Sequence, residues 1–76
     1  MAELESDLIV LLIRGVDGAL PLLGEARLAR ARRGAAWLAA NQSELRSRGL
    51  LSYGEKPGDL HLAPALEEAL LAALRG

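Results

Sequence analysis

The side chains that most often carry chemistry are few in this chain and poorly placed for catalysis. It contains one histidine, His61, and no cysteine. A lone histidine cannot supply the ligand set of a conventional zinc site, and no serine and aspartate accompany it as a nucleophile–base arrangement would need. We therefore predict no catalytic residues, no metal ligands, no cofactor and no small-molecule substrate. His61 is interpreted as an exposed strand residue, and the protein as a non-enzyme.

The arginines are the other notable group, and they are concentrated in the middle of the chain. Residues 25–48 carry six arginines against two glutamates, although the whole chain has a net charge of −1. Such an excess can bind an anionic partner or can pair with acids of the flanking helices, and both interpretations stay open. Arg30 and Arg33 are like charges one helical turn apart, which is unfavourable unless something anionic lies beside them.

Hydrophobic periodicity predicts helices in the first half of the chain. Glu3–Arg14 has apolar residues at helical spacing, with an arc broad enough to be contacted from two sides or by another subunit. Its run Leu8–Ile13, taken alone, is also compatible with a buried strand. Gly15–Pro21 is predicted to be a loop. Gly24–Arg33 is helical by propensity.

The stretch Ala35–Leu51 is predicted to be a helix that ends before Gly49, because a glycine there accepts a positive φ. At Gly34 two alternatives remain, a break between two helices or one continuous helix over Glu25–Ser47, and we favour the break.

Apolar and polar residues alternate on either side of a Pro-Gly pair, and this pattern predicts a hairpin with a type II turn. Lys56 would then lie at its projecting tip. A closing helix follows, with Pro64 in its first turn.

A helical wheel of this central stretch separates two faces. Leu38 and Leu45 lie on the face predicted to be buried, and the opposite face carries small side chains. Bases are read by arginine, lysine, asparagine or glutamine, so a face of small side chains suits the close approach of another protein. The predicted partner-binding residues are Ala36, Trp37, Ala40, Ser43 and Ser47.

Leu38–Leu62, with its Leu45-Arg46-Ser47-Arg48-Gly49-Leu50 motif, resembles the winged-helix superfamily. That resemblance implies a mainly α fold of three to four helices plus a two-stranded wing, in one domain over residues 1–76. It also implies a short first strand, for which Ala19–Leu23 is the candidate. In DNA-binding members the helix before the glycine enters the major groove and the wing touches phosphate. The implied DNA contacts are Gln42, Arg46, Arg48 and Lys56. The like-charged pair, Arg30 and Arg33, is added to them as a candidate anion-binding site. A second similarity, in the spacing of leucines and the Gly-Leu step, is to the amino-terminal part of actinobacterial type VII secretion chaperones, which bind partner proteins.

Composition and sequence pattern also bear on the association of the protein and on its location in the cell. Half of the residues are hydrophobic, with no phenylalanine, so a small core of leucine and alanine would gain from packing against a second copy or a partner. No apolar run is long enough to span a bilayer, the acidic start is unlike a signal peptide, and the lack of cysteine suggests the cytoplasm. We predict a small protein-interaction module or adaptor that binds a protein partner or associates with itself, as a homodimer or another homo-oligomer. The alternative is a DNA-binding transcriptional regulator using residues 25–48 and the wing.

Overall fold

The computed structural model describes residues 3–75, so Met1, Ala2 and Gly76 of the predicted domain lie outside it. The described residues form two helices and a two-stranded antiparallel sheet. These elements are α1 (Glu3–Ser47), β1 (Leu51–Ser52), β2 (His61–Leu62) and α2 (Pro64–Arg75), with a short 3₁₀ turn at Pro57–Asp59 between the strands. The predicted mainly helical chain with a hairpin is therefore present. The predicted winged-helix-like arrangement of three to four helices is wrong, because α1 takes up the whole first half.

Helix α1 is folded back on itself by two glycines. A straight helix of its 45 residues would be about 68 Å long, whereas the longest dimension of the described chain is 34 Å. Gly15 (φ 73°, ψ 179°) and Gly24 (φ 80°, ψ 167°) adopt non-helical angles in a region that is essentially restricted to glycine. Each glycine redirects the helix without a separate loop.

The segment between these glycines is helical, so the predicted loop at Gly15–Pro21 and the candidate strand at Ala19–Leu23 are wrong. Ala19 and Leu23, four residues apart, point to the same side and are buried with Leu28 in a small second core. Burial of these side chains at helical spacing outweighs the local preference of a Gly- and Pro-rich stretch for a turn.

Gly34 does not break the helix, so the favoured break is wrong and the continuous helix over Glu25–Ser47 is confirmed. A Cβ at this buried position would lie 3.6 Å from Leu74 Cδ1 and 3.8 Å from Leu4 Cδ1. Both distances are ordinary van der Waals contacts, and they show that α2 and the start of α1 pack over the middle of the helix at this position. Gly34 therefore lies where helices cross, and not in a turn.

The end of α1 follows the sequence prediction. Gly49 has a φ of 73°, its amide donates to the Arg46 carbonyl at 3.1 Å, and the Leu50 amide donates to the Leu45 carbonyl at 3.0 Å. This pair of bonds is a Schellman motif, which satisfies carbonyls that the helix end would leave free. Beyond it the chain enters the main core, which is built from leucines and one alanine: Leu4, Leu8, Ala31, Leu38, Leu45, Leu51, Leu60, Leu62, Leu66 and Leu70.

The hairpin pairs Leu51 with Leu62 and Ser52 with His61. Its turn is not type II, because Gly58 does not have the positive φ which that turn requires. The Asp59 amide instead donates to the Lys56 carbonyl at 2.9 Å in a 3₁₀ turn. A Cβ on Gly58 would be 3.9 Å from Ile13 Cδ1, so the turn lies against α1 instead of projecting as a free wing.

Within residues 3–75, no helix has both the length and the apolar character needed to cross a membrane.

Two alanine substitutions distinguish the two uses of glycine in α1. Gly24→Ala should destabilise the fold by about 1–3 kcal/mol, since alanine must adopt a conformation restricted to glycine. Gly34→Ala should stabilise it by about 0.5–1 kcal/mol, because the new methyl group meets ordinary van der Waals contacts and alanine favours the helix. Urea unfolding of both variants at one protein concentration measures the difference. Equal effects at the two positions would contradict this account.

Candidate functional site

Two arginines of the central segment are held by a buried carboxylate. Asp7 is 1% exposed and accepts hydrogen bonds from Arg27, at 2.5 Å from Nη2 and 3.3 Å from Nε. Arg30 Nη2 lies 3.3 Å from Asp7 Oδ2 and 3.4 Å from Glu3 Oε1. The hydrogen bond that Arg27 donates to Asp7, and then the negative charge of Asp7, raise the pKa of Arg27 above its ordinary value, so the guanidinium stays charged. It links the beginning of α1 to its central part.

The other predicted DNA contacts also make contacts within the chain. Arg33 Nη2 donates to the Leu74 carbonyl at 2.5 Å, and Arg48 pairs with Glu44 at 2.8 Å. The Arg46 guanidinium lies 5.4 Å from the centre of the Tyr53 ring, which is a cation–π geometry. These contacts and those of Arg30 support the interpretation that the central arginines act within the fold. Gln42 and Lys56 are exposed, and DNA binding stays an untested prediction.

The predicted partner-binding face is oriented as its wheel indicated. The four small side chains are exposed, whereas Leu38 and Leu45 are buried. Trp37 is half-buried and packs against the main core. None of the five predicted partner-binding residues, however, lines either of the two concave sites described next: Ala36, Trp37, Ala40, Ser43 and Ser47.

The first concave site, which we call the apolar groove, lies between two parts of α1 and the hairpin. Its volume is about 190 Å³, and it is lined by residues that are apolar except for the Gln42 amide and the Tyr53 hydroxyl. The central part of α1 supplies one wall with residues at a spacing of three or four, which share a helix face. The lining residues are Leu8, Leu12, Ala35, Leu38, Ala39, Gln42, Tyr53 and Leu60.

The groove is open, and two of its large side chains are incompletely covered. Leu12 is 51% and Tyr53 is 43% exposed. Its volume is comparable to the roughly 150 Å³ cavity that accommodates a benzene-sized group. One or two bulky apolar side chains therefore fit into it, whereas a whole helix does not.

The groove uses a stripe of α1 one residue away from the predicted one. Ala35 and Ala39 line it, while the neighbouring Ala36 and Ala40 were predicted to bind the partner. The sequence did carry a signal for the opposite wall, since the broad apolar arc of Glu3–Arg14 includes Leu12. The contribution of Tyr53 could not be seen, because it depends on how the hairpin packs against α1.

The second concave site is a cleft of about 480 Å³ whose lining includes four glutamates, Arg30 and His61. The glutamates Glu5 and Glu67 have structural partners: Leu62 N donates to Glu5 Oε2 at 2.9 Å, and Glu5 N donates to Glu67 Oε2 at 3.2 Å. His61 is exposed, with Nδ1 3.4 Å from Glu5 Oε2. Among residues 3–75, no group of three or more acidic, histidine or cysteine side chains is arranged to hold a metal ion. This cleft joins α1, β2 and α2.

Comparison with known protein families, characterised proteins and solved structures gives no match to this chain. The functional inference therefore depends on the geometry of the groove and on the charges around it.

The buried ion pair predicts a large difference between two acid-to-amide substitutions. Asp7→Asn should destabilise the fold by about 3 kcal/mol, near the low end for breaking a buried pair, because Arg27 remains half-exposed. Glu44→Gln removes an exposed pair with Arg48 one helical turn away and should cost less than about 0.5 kcal/mol. Urea unfolding of the two variants checks this. A small effect of Asp7→Asn would show that Asp7 does not hold the segments together.

Proposed function

We propose that this chain is a small non-enzymatic protein-interaction module that self-associates through the apolar groove. The observation that carries the proposal is an open apolar groove whose flanking Leu12 and Tyr53 remain about half exposed. Covering a large apolar side chain is worth about 1.5–3 kcal/mol. Large exposed apolar surfaces with a polar border are typical of protein-binding sites.

A second copy is favoured as the partner because the chain exposes further large apolar side chains of its own. They are Ile13, Val16, Leu20 and Leu22, each between 41% and 58% exposed. A symmetric pair of copies would bury each such contact twice. A small domain with a leucine and alanine core is also the type of scaffold that gains stability from oligomerisation.

The groove has the features of a preformed docking site. Two of its walls belong to parts of α1 that the Asp7 ion pairs hold together, so docking requires little ordering of the chain. Its polar groups are the Gln42 amide and the Tyr53 hydroxyl, with the Arg46 guanidinium over the Tyr53 ring. Few polar groups around an apolar centre restrict the orientation of a bound side chain.

Two neighbouring alanines provide a matched test of this docking surface. Ala39→Glu places a carboxylate in the apolar groove and should weaken self-association at least about tenfold, since burying an unpaired charge is costly. Ala40→Glu introduces the same charge on the adjacent residue, outside the groove, and should leave self-association unchanged. Sedimentation equilibrium over a range of concentrations gives the dissociation constants.

Two outcomes would contradict the proposal. A wild-type chain that keeps the mass of a single copy at every concentration would exclude self-association. A loss of association in Ala40→Glu but not in Ala39→Glu would assign docking to the face of small side chains that the sequence alone predicts.

A further inference from the structure

The short helical segment between the two glycine kinks presents an uncovered apolar edge. Val16 is 43% and Leu20 is 41% exposed, and their spacing of four residues places them on the same side of the segment. Asp17 is exposed, and it lies three residues before Leu20, so it flanks this edge. We call Val16, Asp17 and Leu20 the ridge. Within residues 3–75, Asp17 forms no ion pair.

The opposite charge lies next to a residue that lines the apolar groove. Arg46 lies over the ring of Tyr53, which lines the groove, and is itself exposed. In the part of the chain that the structure describes, it pairs with no carboxylate. No acidic residue lines the groove. An apolar side chain accompanied by a carboxylate is therefore the group that this site complements.

Resting on the proposed self-association, we infer that the ridge of one copy occupies the apolar groove of a second copy. Leu20 enters the groove, with Val16 beside it, and Asp17 faces Arg46 of the second copy. The groove volume of about 190 Å³ suits an occupant of one or two side chains. Two such contacts related by a two-fold axis close a dimer, because each copy supplies both a ridge and a groove.

The ridge is also held in a defined position. Ala19 and Leu23, from the same segment, are buried in the second core with Leu28. Gly15 and Gly24 set the direction of the chain on either side. An anchor that is ordered before binding loses little conformational entropy on docking. Leu22 lies on the other flank of the segment, so it is exposed but does not belong to the ridge.

Exchanging the two charges tests the contact between copies. Asp17→Arg and Arg46→Glu should each weaken self-association about tenfold, since an attractive pair at the rim becomes a repulsive one. Mixing the two variants should restore a mixed dimer of near wild-type affinity, because both contacts again join opposite charges. Sedimentation of each variant alone and of their equimolar mixture measures this recovery, which a folding defect in either variant would not produce.

A pair of leucine substitutions tests the apolar anchor. Leu20→Glu should weaken self-association at least tenfold, whereas Leu22→Glu, with the same change two residues away, should not.

The outcomes separate this inference from the proposed function. If the wild type self-associates and Ala39→Glu weakens it, but mixing gives no recovery and Leu20→Glu has no effect, another segment of the second copy occupies the groove and the ridge assignment is overturned alone. A wild type that remains a single copy at every concentration overturns both the proposed self-association and the ridge assignment. The groove would then be assigned to an unrelated partner.

Discussion

The buried carboxylate of Asp7 is the interaction that most constrains the fold. A charged group at 1% exposure requires an opposite charge and hydrogen bonds, and its partners Arg27 and Arg30 lie 20 and 23 residues away. The chain can meet this requirement only by reversing direction between them, which the backbone angles of Gly15 and Gly24 accomplish. The same reversal brings the beginning and the middle of α1 side by side. The walls of the apolar groove are a consequence of that pairing.

Two hydrogen bonds from backbone amides to glutamate carboxylates link α2 and β2 to the start of α1. Glu67 of α2 accepts a hydrogen bond from the Glu5 amide, and Glu5 in turn accepts one from the Leu62 amide of β2. The first of these satisfies an amide near the start of α1, where free N–H groups and the helix dipole favour a negative charge. With α2 packed over Gly34, the hairpin is held against α1. Tyr53 thereby becomes part of the third wall of the groove.

The distribution of charge has a different meaning in three dimensions from the one it has along the chain. The excess of arginines over residues 25–48 resembles a surface for an anion, but Arg27 and Arg30 serve the Asp7 pair and Arg33 binds the end of α2. What remains near the groove is Arg46 on the Tyr53 ring. A single charge beside an apolar site suits the orientation of a protein side chain better than the multiple phosphate contacts of nucleic-acid binding.

Local features of this protein were determined by its sequence alone: the end of α1 just before Gly49, the burial of Leu38 and Leu45, the hairpin, and the helix that begins at Pro64. Each depends on residues within a few positions of one another. Tertiary structure decided the rest. A glycine permits a turn without requiring one, so Gly24 redirects the helix while Gly34 remains within it, because Leu4 and Leu74 pack over Gly34. The groove likewise joins Leu12, Ala39 and Tyr53, which only packing brings together.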